Sequence, residues 1–273
     1  MERLKLFDLY LREEEKERLT REKYIRDVGK FLTWLGGRTI SKEEVLAYKA
    51  ELSRTYAAAS VNSMLSSLNR FLRFSGLGEC CVKTLKCQRE VFSSEEKELT
   101  REEYSRLLRS ASGDRRLWLL MQAICATGIR VSEHRFITVE ALQQGSATVQ
   151  CKGKRRRVLI PRKLCRELLQ YCRQQGIKSG SVFLNSLGKP LDRSRIWAMM
   201  KKLCTAAKVK PQKVFPHNLR HLFARLYYSM EKDIVRLADI LGHSNINTTR
   251  IYTRESSEKH RRQIEKMPLL LIT

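Results

Sequence analysis

The sequence of 273 residues has no long hydrophobic run and no secretion signal. No stretch approaches the roughly 20 apolar residues that a membrane-spanning helix needs, and the amino terminus is charged from its second residue. The eight cysteines include no Cys-x-x-Cys pair, which favours small apolar core residues in a reducing compartment over a zinc site. We therefore expect a cytoplasmic protein that makes no membrane contact.

Features of nucleotide hydrolysis and of metal catalysis are missing as well. The chain has no Gly-rich loop ending in Lys-Ser or Lys-Thr, which a phosphate-binding loop for nucleotides requires. His217 and His221 are four residues apart, but Asn218 stands where a metalloprotease carries glutamate. The sequence therefore predicts neither a cofactor nor a bound metal.

Acidic residues are scarce relative to basic ones. The chain has 54 Lys and Arg against 29 Asp and Glu, which gives a formal net charge of +25. Clustered cations release condensed counterions when they meet phosphates, so this excess predicts a polyanionic partner. Residues 1–90 carry a net charge of +5 and residues 91–273 carry +20. The second part of the chain is therefore expected to hold most of the positive field.

Hydrophobic periodicity predicts a small helical bundle at the amino end. Apolar side chains recur at helical spacing in four segments, around residues 4–18, 20–35, 41–52 and 61–75. A capping box opens the third segment, and glycines follow the second and the fourth, where the chain can turn left-handed. The pattern indicates one compact domain over residues 1–88.

A polar stretch separates this bundle from a second domain. Residues 89–98 lack helical periodicity, and Thr100 begins a further capping box. The second domain, residues 99–273, is mostly helical in pattern, but two β-rich runs at 146–150 and 157–160 flank a basic turn. The predicted fold class is mainly α: an amino-terminal helical bundle, a linker, and a mostly helical domain with a small antiparallel β-sheet.

Residues 126–133 read Ala-Thr-Gly-Ile-Arg-Val-Ser-Glu and follow an apolar helix. Arg130 therefore emerges from the core side and needs an anion. An ion pair with Glu133 would satisfy it without any ligand, and this segment alone favours that simpler interpretation.

Residues 217–221 read His-Asn-Leu-Arg-His and begin just after a proline, as helices often do. His217, Arg220 and His221 then share one helix face. Because arginine offers a two-pronged donor and histidine can donate as well, this trio suits a phosphate. Partly buried histidines with protein partners remain the alternative, above all for His221.

Residues 241–252 combine a helix end with an unusual tyrosine. Gly242 should end a helix and leave His243 at its terminus. A lone tyrosine is usually part of a core, but Tyr252 stands between two arginines in a polar segment, which indicates an exposed phenol.

Together these three segments resemble the tyrosine recombinase family, the phage-integrase-like DNA strand-transfer enzymes. The likeness runs through all three segments in the family's order, with a basic hairpin between the first two, and covers the second domain. The helical bundle is similar to the family's core-site DNA-binding domain. The resemblance implies that a tyrosine attacks a DNA phosphodiester, forms a 3′-phosphotyrosyl intermediate and frees a 5′-hydroxyl, without metal or ATP.

The resemblance also implies a role for each matching residue. Tyr252 would be the nucleophile, Arg130 and Arg220 would hold the phosphate oxygens, and His217 and His243 would donate hydrogen bonds and handle protons. Two neutral histidines predict activity that falls as the pH drops from about 8 to 5.

Further roles fall on the hairpin and on two supporting residues. Lys152 best matches the family's general-acid lysine, with Lys154 as the alternative two residues away. Glu133 and His221 match supporting positions. The basic side chains expected to contact the DNA backbone are Lys154, Arg155, Arg156 and Arg157.

The resemblance implies that the partner is double-stranded DNA and that a homotetramer binds two DNA sites. The protein would be found at the nucleoid when bound, and an accessory protein could take part. A helix expected over residues 256–267 would dock on a neighbouring subunit, and no arm-binding domain is expected before the bundle. The hairpin is atypical of the family, and so is the run His134-Arg135-Phe136, which stands where the family usually has aliphatic residues. Both departures favour integration and excision of a mobile element. Xer-like resolution of chromosome or plasmid dimers is the alternative, followed by a type IB topoisomerase-like relaxing enzyme and an idle DNA-binding protein.

Overall fold

The computed structural model describes four stretches of the chain: residues 2–86, 97–151, 154–243 and 245–252. The chain divides into two compact units, Met1–Glu90 and Val91–Thr273. Most of the predicted linker, residues 89–98, lies outside the described residues. Among the helices of the described stretches, none has both the length and the apolar character needed to cross a membrane.

The first unit consists of helices that pack around one apolar core. Ser41 caps the third helix by accepting a hydrogen bond from the backbone N–H of Glu44 (3.3 Å), as its capping box predicts. Phe7, Phe31 and Phe71 are fully buried in the core. Helices α1 to α4 are Glu2–Glu13, Arg18–Leu35, Lys42–Thr55 and Ala58–Phe74.

The second unit is larger and is also mainly helical. Its long apolar helix, α6, packs against α11 inside the core, and one antiparallel hairpin lies beside the helices. Helices α5 to α13 are Arg101–Ser110, Arg115–Thr127, Val139–Gln143, Arg162–Gln174, Arg193–Lys202, Cys204–Ala207, Pro216–Glu231, Ile234–Leu241 and Ile246–Thr249. Strands β1 and β2 are Ser146–Cys151 and Lys154–Leu159. The predicted fold class, mainly helical with a small antiparallel sheet, is confirmed.

Two helices of the second unit end in left-handed glycines that matter for the site. Gly128 ends α6 with φ +65°, and Gly242 ends α12 with φ +66°. At Gly128 there is no room for a side chain, because a Cβ would lie 2.4 Å from the ring of Phe223. This turn therefore needs glycine for two independent reasons, its backbone conformation and its close packing.

We expect Gly128→Ala to destabilise the protein more than the matched change Gly145→Ala. Gly145 also has a positive φ, +70°, but a Cβ there meets open space. The free energy of unfolding of the control should fall by about 1–2 kcal/mol, which is the cost of placing an alanine in the left-handed conformation. Gly128→Ala should lose about 1–3 kcal/mol more because of overpacking against Phe223. Urea unfolding measures both, and equal midpoints for the two variants would contradict the steric argument.

Candidate active site

Arg220 on α11 is fully buried, with 1% of its surface exposed. Its Nη1 donates to the carbonyl of Gly128 (2.6 Å), and its Nη2 donates to the carbonyl of Leu241 (2.8 Å). These carbonyls lie at the ends of α6 and α12, where unpaired carbonyls carry the negative end of the helix dipole. The ends of two helices therefore compensate a guanidinium that would otherwise be costly to bury.

Arg220 stays charged and keeps a donor free of protein partners. Burial, and then the nearby charge of Arg130, lowers the pKa of Arg220 to about 10, so it is protonated at neutral pH. Its buried Nε finds no acceptor among the described residues. A buried cation with an unused donor is suited to an anion such as a phosphate.

Arg130 is held by a buried carboxylate. Its Nη1 donates to Oε1 of Glu133 (2.8 Å), and its backbone N–H donates to Oε2 (2.7 Å). Arg156 on β2 binds the same carboxylate with two parallel hydrogen bonds, both of 2.8 Å. Although burial favours the neutral acid, the bonds from Arg156 and Arg130 hold the pKa of Glu133 at about 2. The predicted ion pair of Arg130 with Glu133 therefore exists, inside a larger network.

His243 follows the glycine that ends α12 and bridges two site elements. Its Nε2 lies 3.0 Å from Nη2 of Arg220, and its Nδ1 lies 2.9 Å from Oγ1 of Thr249. Because an arginine nitrogen can only donate, Nε2 must accept, and we assign the ring proton to Nδ1, which donates to Thr249. Burial, and then the charge of Arg220, lowers the pKa of His243 to about 4, so the ring is neutral at pH 7.

Tyr252 is buried, with 4% of its surface exposed, which differs from the exposed phenol that its polar neighbours indicate. The last helical turns fold back so that the ring fills an apolar cluster with Leu237 and Leu241. The rings of His221 and Tyr252 form a T-shaped pair at a centroid distance of 4.8 Å, and His243 stacks on the tyrosine ring at 6.0 Å. The ring therefore packs between the two histidines and the apolar cluster.

His217 and His221 lie one helical turn apart on α11, with ring centroids 4.4 Å apart. Burial, and then the charge of Arg220, lowers the pKa of His217. Burial, and then its neighbour His217, lowers the pKa of His221 to about 3. His221 and His243 therefore stay neutral through mild acid, so these two rings give no reason to expect a loss of activity between about pH 8 and 5.

The structure brings the sequence-predicted residues of the second unit into one neighbourhood. Arg130, Arg220, His243 and Tyr252 are linked by the contacts above, and His217 lines the same cavity as the two arginines. The supporting residue Glu133 binds Arg130, and His221 contacts the tyrosine. Lys152 and the helix expected over residues 256–267 lie outside the described residues.

The hairpin arginines differ from one another in their surroundings. Arg155 and Arg157 are exposed, and Nε of Arg157 donates to Oγ of Ser146 (2.9 Å). Arg156 faces inward between them and binds Glu133, so its guanidinium has a protein partner where a DNA contact was expected. Alternation along a strand explains the difference. The side chain of Lys154 lies outside the described part of the structure.

A cavity of about 710 Å³ opens beside Arg130, His217 and Arg220. One wall is formed by the side chains of α9, which the sequence analysis missed. Trp197 on this wall is 49% exposed, and Nζ of Lys201 lies 5.3 Å from its ring centroid. An exposed tryptophan on a helix that starts with two arginines was the available signal, because such groups suit a polyanion with stackable bases.

Comparisons with known proteins bear on the same two units. The model of the Phage integrase family matches residues 97–259, and that of the phage integrase N-terminal SAM-like domain matches residues 4–75. The chain is 30% identical over 276 residues to tyrosine recombinase XerA of Pyrococcus furiosus, covering 98% of this chain and 94% of the relative.

Solved structures share the fold. A lambda integrase dimer bound to a COC′ core site matches with a TM-score of 0.75 and 18% identity, covering 94% of this chain and 95% of that one. A lambda integrase tetramer bound to a Holliday junction matches with a TM-score of 0.72 and 18% identity, covering 93% and 76%. Identity at this level shows likeness of fold alone, so the family is shown by the matches in sequence.

Acid should destabilise the protein before it protonates the site. The unfolded chain binds protons at histidines near pH 6.5, whereas folded His221 and His243 take them up only near pH 3 and 4. The contribution of these two histidines to the free energy of unfolding is therefore complete above about pH 6.5. By pH 4.5 the free energy of unfolding should fall by about 1 kcal/mol or more. Urea unfolding at several pH values measures this slope. His221→Phe keeps a ring but cannot titrate, so its slope should be shallower; identical slopes would contradict the argument.

Proposed function

The chain belongs to the phage integrase family of tyrosine recombinases, and we propose that Tyr252 is the residue with which this site-specific recombinase cuts and rejoins DNA. The observation that carries the proposal is the packing of this tyrosine against two neutral histidines, one of which, His243, bonds the buried and charged Arg220. The phenolic oxygen bonds to phosphorus, the bond from phosphorus to the 5′-oxygen breaks, and the phosphate remains on the tyrosine. Attack by a 5′-hydroxyl reverses these steps and rejoins a strand.

Arg130 and Arg220 bind the non-bridging oxygens of the attacked phosphate in this proposal. Negative charge builds there in the pentacoordinate state, and donors that are already in place stabilise it by about 3 kcal/mol each. The Nε of Arg220 supports the assignment because it is a buried donor without a partner among the described residues. The same charge favours the phenolate that Tyr252 becomes as it attacks.

The histidines complete the phosphate site as neutral groups. His217 lines the cavity beside both arginines and can donate one hydrogen bond to a phosphate oxygen. His243 accepts a hydrogen bond from Nη2 of Arg220 and thereby holds that nitrogen in place. In the other tautomer Nε2 would carry the proton and could no longer accept from Arg220, whereas the present tautomer satisfies both Arg220 and Thr249.

DNA binding and oligomer formation fit the lambda integrase structures, which are a dimer and a tetramer on DNA. We propose that four copies of this chain act on two duplexes in the cytoplasm, at the nucleoid, and that an accessory protein can take part. The wall formed by α9 would face the DNA next to the phosphate, where Trp197 offers an exposed aromatic face. Arg155 and Arg157 would contact the backbone from the hairpin.

Integration and excision of a mobile element is the biological task that we propose first. Xer-like resolution of chromosome or plasmid dimers is the second candidate, favoured by the full-length similarity to XerA. The position of the cleaved sequence separates them. A mobile-element enzyme cuts at the ends of a discrete element, whereas dimer resolution uses one site in each replicon. A relaxing enzyme of the type IB class rejoins the original strand and yields no recombinant product.

We expect a covalent protein–DNA adduct that depends on Tyr252 and needs no added metal. Nicked duplexes from the DNA around the gene release a short fragment on cleavage, so the adduct accumulates on a denaturing gel. Tyr252→Phe should form none, while the matched variant Tyr227→Phe, whose ring belongs to the same cluster, should react normally. Arg130→Met should react about 100- to 1000-fold more slowly. Equal amounts of adduct from Tyr252→Phe and from the unaltered protein would show that another residue is the nucleophile.

We expect Lys152 to protonate the departing 5′-oxygen. Replacing that oxygen with sulfur in the substrate creates a leaving group that needs no proton, because a thiol is far more acidic than an alcohol. Lys152→Ala should therefore cleave ordinary DNA slowly and the sulfur-substituted DNA at nearly the normal rate. Lys154→Ala is the matched control and should show no such rescue. Rescue of Lys154→Ala instead would assign the general acid to Lys154.

A further inference from the structure

Arg156 connects three separate segments that carry site residues. From β2 it donates two hydrogen bonds of 2.8 Å to Glu133, the carboxylate that holds Arg130. Its Nε also donates to the carbonyl of Ile240 (3.3 Å), in the last turn of α12. The hairpin, the Arg130 segment and the end of α12 therefore meet on one guanidinium.

The turn that presents His243 is fitted closely to this side chain. A Cβ at Gly242 would lie 2.6 Å from Cδ and 3.1 Å from Nε of Arg156. Gly242 thus leaves the space through which the arginine passes, in addition to taking the left-handed conformation that ends α12. His243 comes directly after this turn, so the position of its ring depends on the same contact.

The side chain of Arg156 is mostly buried and makes its hydrogen bonds within the protein. Its side chain is 14% exposed, and its three nitrogens all donate to protein acceptors. A two-pronged bond between arginine and carboxylate fixes the direction of both groups, which a single contact with lysine would not. Arg155 and Arg157 beside it are exposed, as phosphate-binding side chains would be.

We propose that Arg156 is a positioning residue, which orients Arg130 through Glu133 and holds the turn that presents His243. The proposal rests on the proposed phosphate-binding role of Arg130 and on the proposed role of His243 in holding Arg220. It predicts that loss of Arg156 slows the chemical step and leaves DNA affinity nearly unchanged, because the arginine itself contacts no phosphate.

Loss of Arg156 should also change how the reaction responds to acid. Among the described residues, the charged groups that act on Glu133 are Arg130 on its own segment, Arg156 on β2 and Arg220 on α11. Without Arg156 the buried carboxylate keeps fewer donors, so it takes up a proton at higher pH. A protonated Glu133 holds Arg130 less firmly, so the fall in rate on the acid side of the pH profile should move to higher pH.

The experiment measures the single-turnover rate of adduct formation at saturating protein, together with DNA affinity, from about pH 5 to 8. Arg156→Met should slow the rate on the order of 10- to 100-fold, with DNA affinity within about twofold of normal, and raise the pH at which the rate falls. Arg156→Lys keeps the charge without the two-pronged bond and should recover little of the rate. In a Glu133→Gln background, Arg156→Met should cost much less than it does alone.

Arg38→Met in the first unit is the matched control. Arg38 donates from Nη1 to both carboxylate oxygens of Glu44 (2.9 and 2.7 Å) and from Nε to the carbonyl of Leu35 (2.8 Å), so the change removes similar bonds. It should leave the rate and its pH profile unchanged. Failure of the unaltered protein to form an adduct would refute the proposed function itself.

With an active unaltered protein, four results would each overturn the positioning role. They are a normal rate and pH profile in Arg156→Met, full recovery in Arg156→Lys, costs that simply add in the Glu133→Gln background, and a loss of affinity large enough to account for the loss of rate. The last result would make Arg156 a DNA contact. Arg156→Lys and the Glu133→Gln pair give an answer even where methionine costs stability.

Discussion

The buried guanidinium of Arg220, bound by the ends of two helices, is the interaction around which the second unit is arranged. Removing a charge from water costs several kcal/mol unless polar groups replace the solvent. The carbonyls of Gly128 and Leu241 do so, and each lies at a helix end that turns through a left-handed glycine. The glycines end α6 and α12, and Arg220 in turn satisfies a carbonyl at each of these two helix ends.

Charge balance in this region sets the protonation of its other groups. Three arginines face one ionised carboxylate, Glu133, so the neighbourhood keeps a positive excess. Burial and that excess both oppose a further proton on a histidine, which is why the pKa of His243 falls to about 4. Neutral histidines therefore lie beside charged arginines, and under the proposed function this arrangement is in place before a phosphate binds, as electrostatic catalysis requires.

The sequence predicts the elements well because their signals are local. Helical periodicity, the capping box at Thr100 and the basic turn of the hairpin lie within a few residues of the structures that they specify. The three motifs also predict which residues lie together, because Arg130, His217, Arg220, His243 and Tyr252 fall in one neighbourhood of the second unit. What the sequence could not give is the partner of each side chain. Arg156 belongs to a basic run like its neighbours, and only the hairpin's register turns it inward to Glu133.

The same limit explains the burial of Tyr252, which lies in the sequence between Arg250 and Arg254. The apolar residues that surround it come from α11 and α12, and no local pattern connects them to the tyrosine. His243 is the connection: it bonds Arg220 through Nε2 and Thr249 through Nδ1, and Thr249 is only three residues before Tyr252. The buried Arg220 and the segment that bears Tyr252 therefore share one neutral ring. Any change that moves the tyrosine by shifting this segment acts on the His243–Thr249 bond and, through it, on the group that holds the buried arginine.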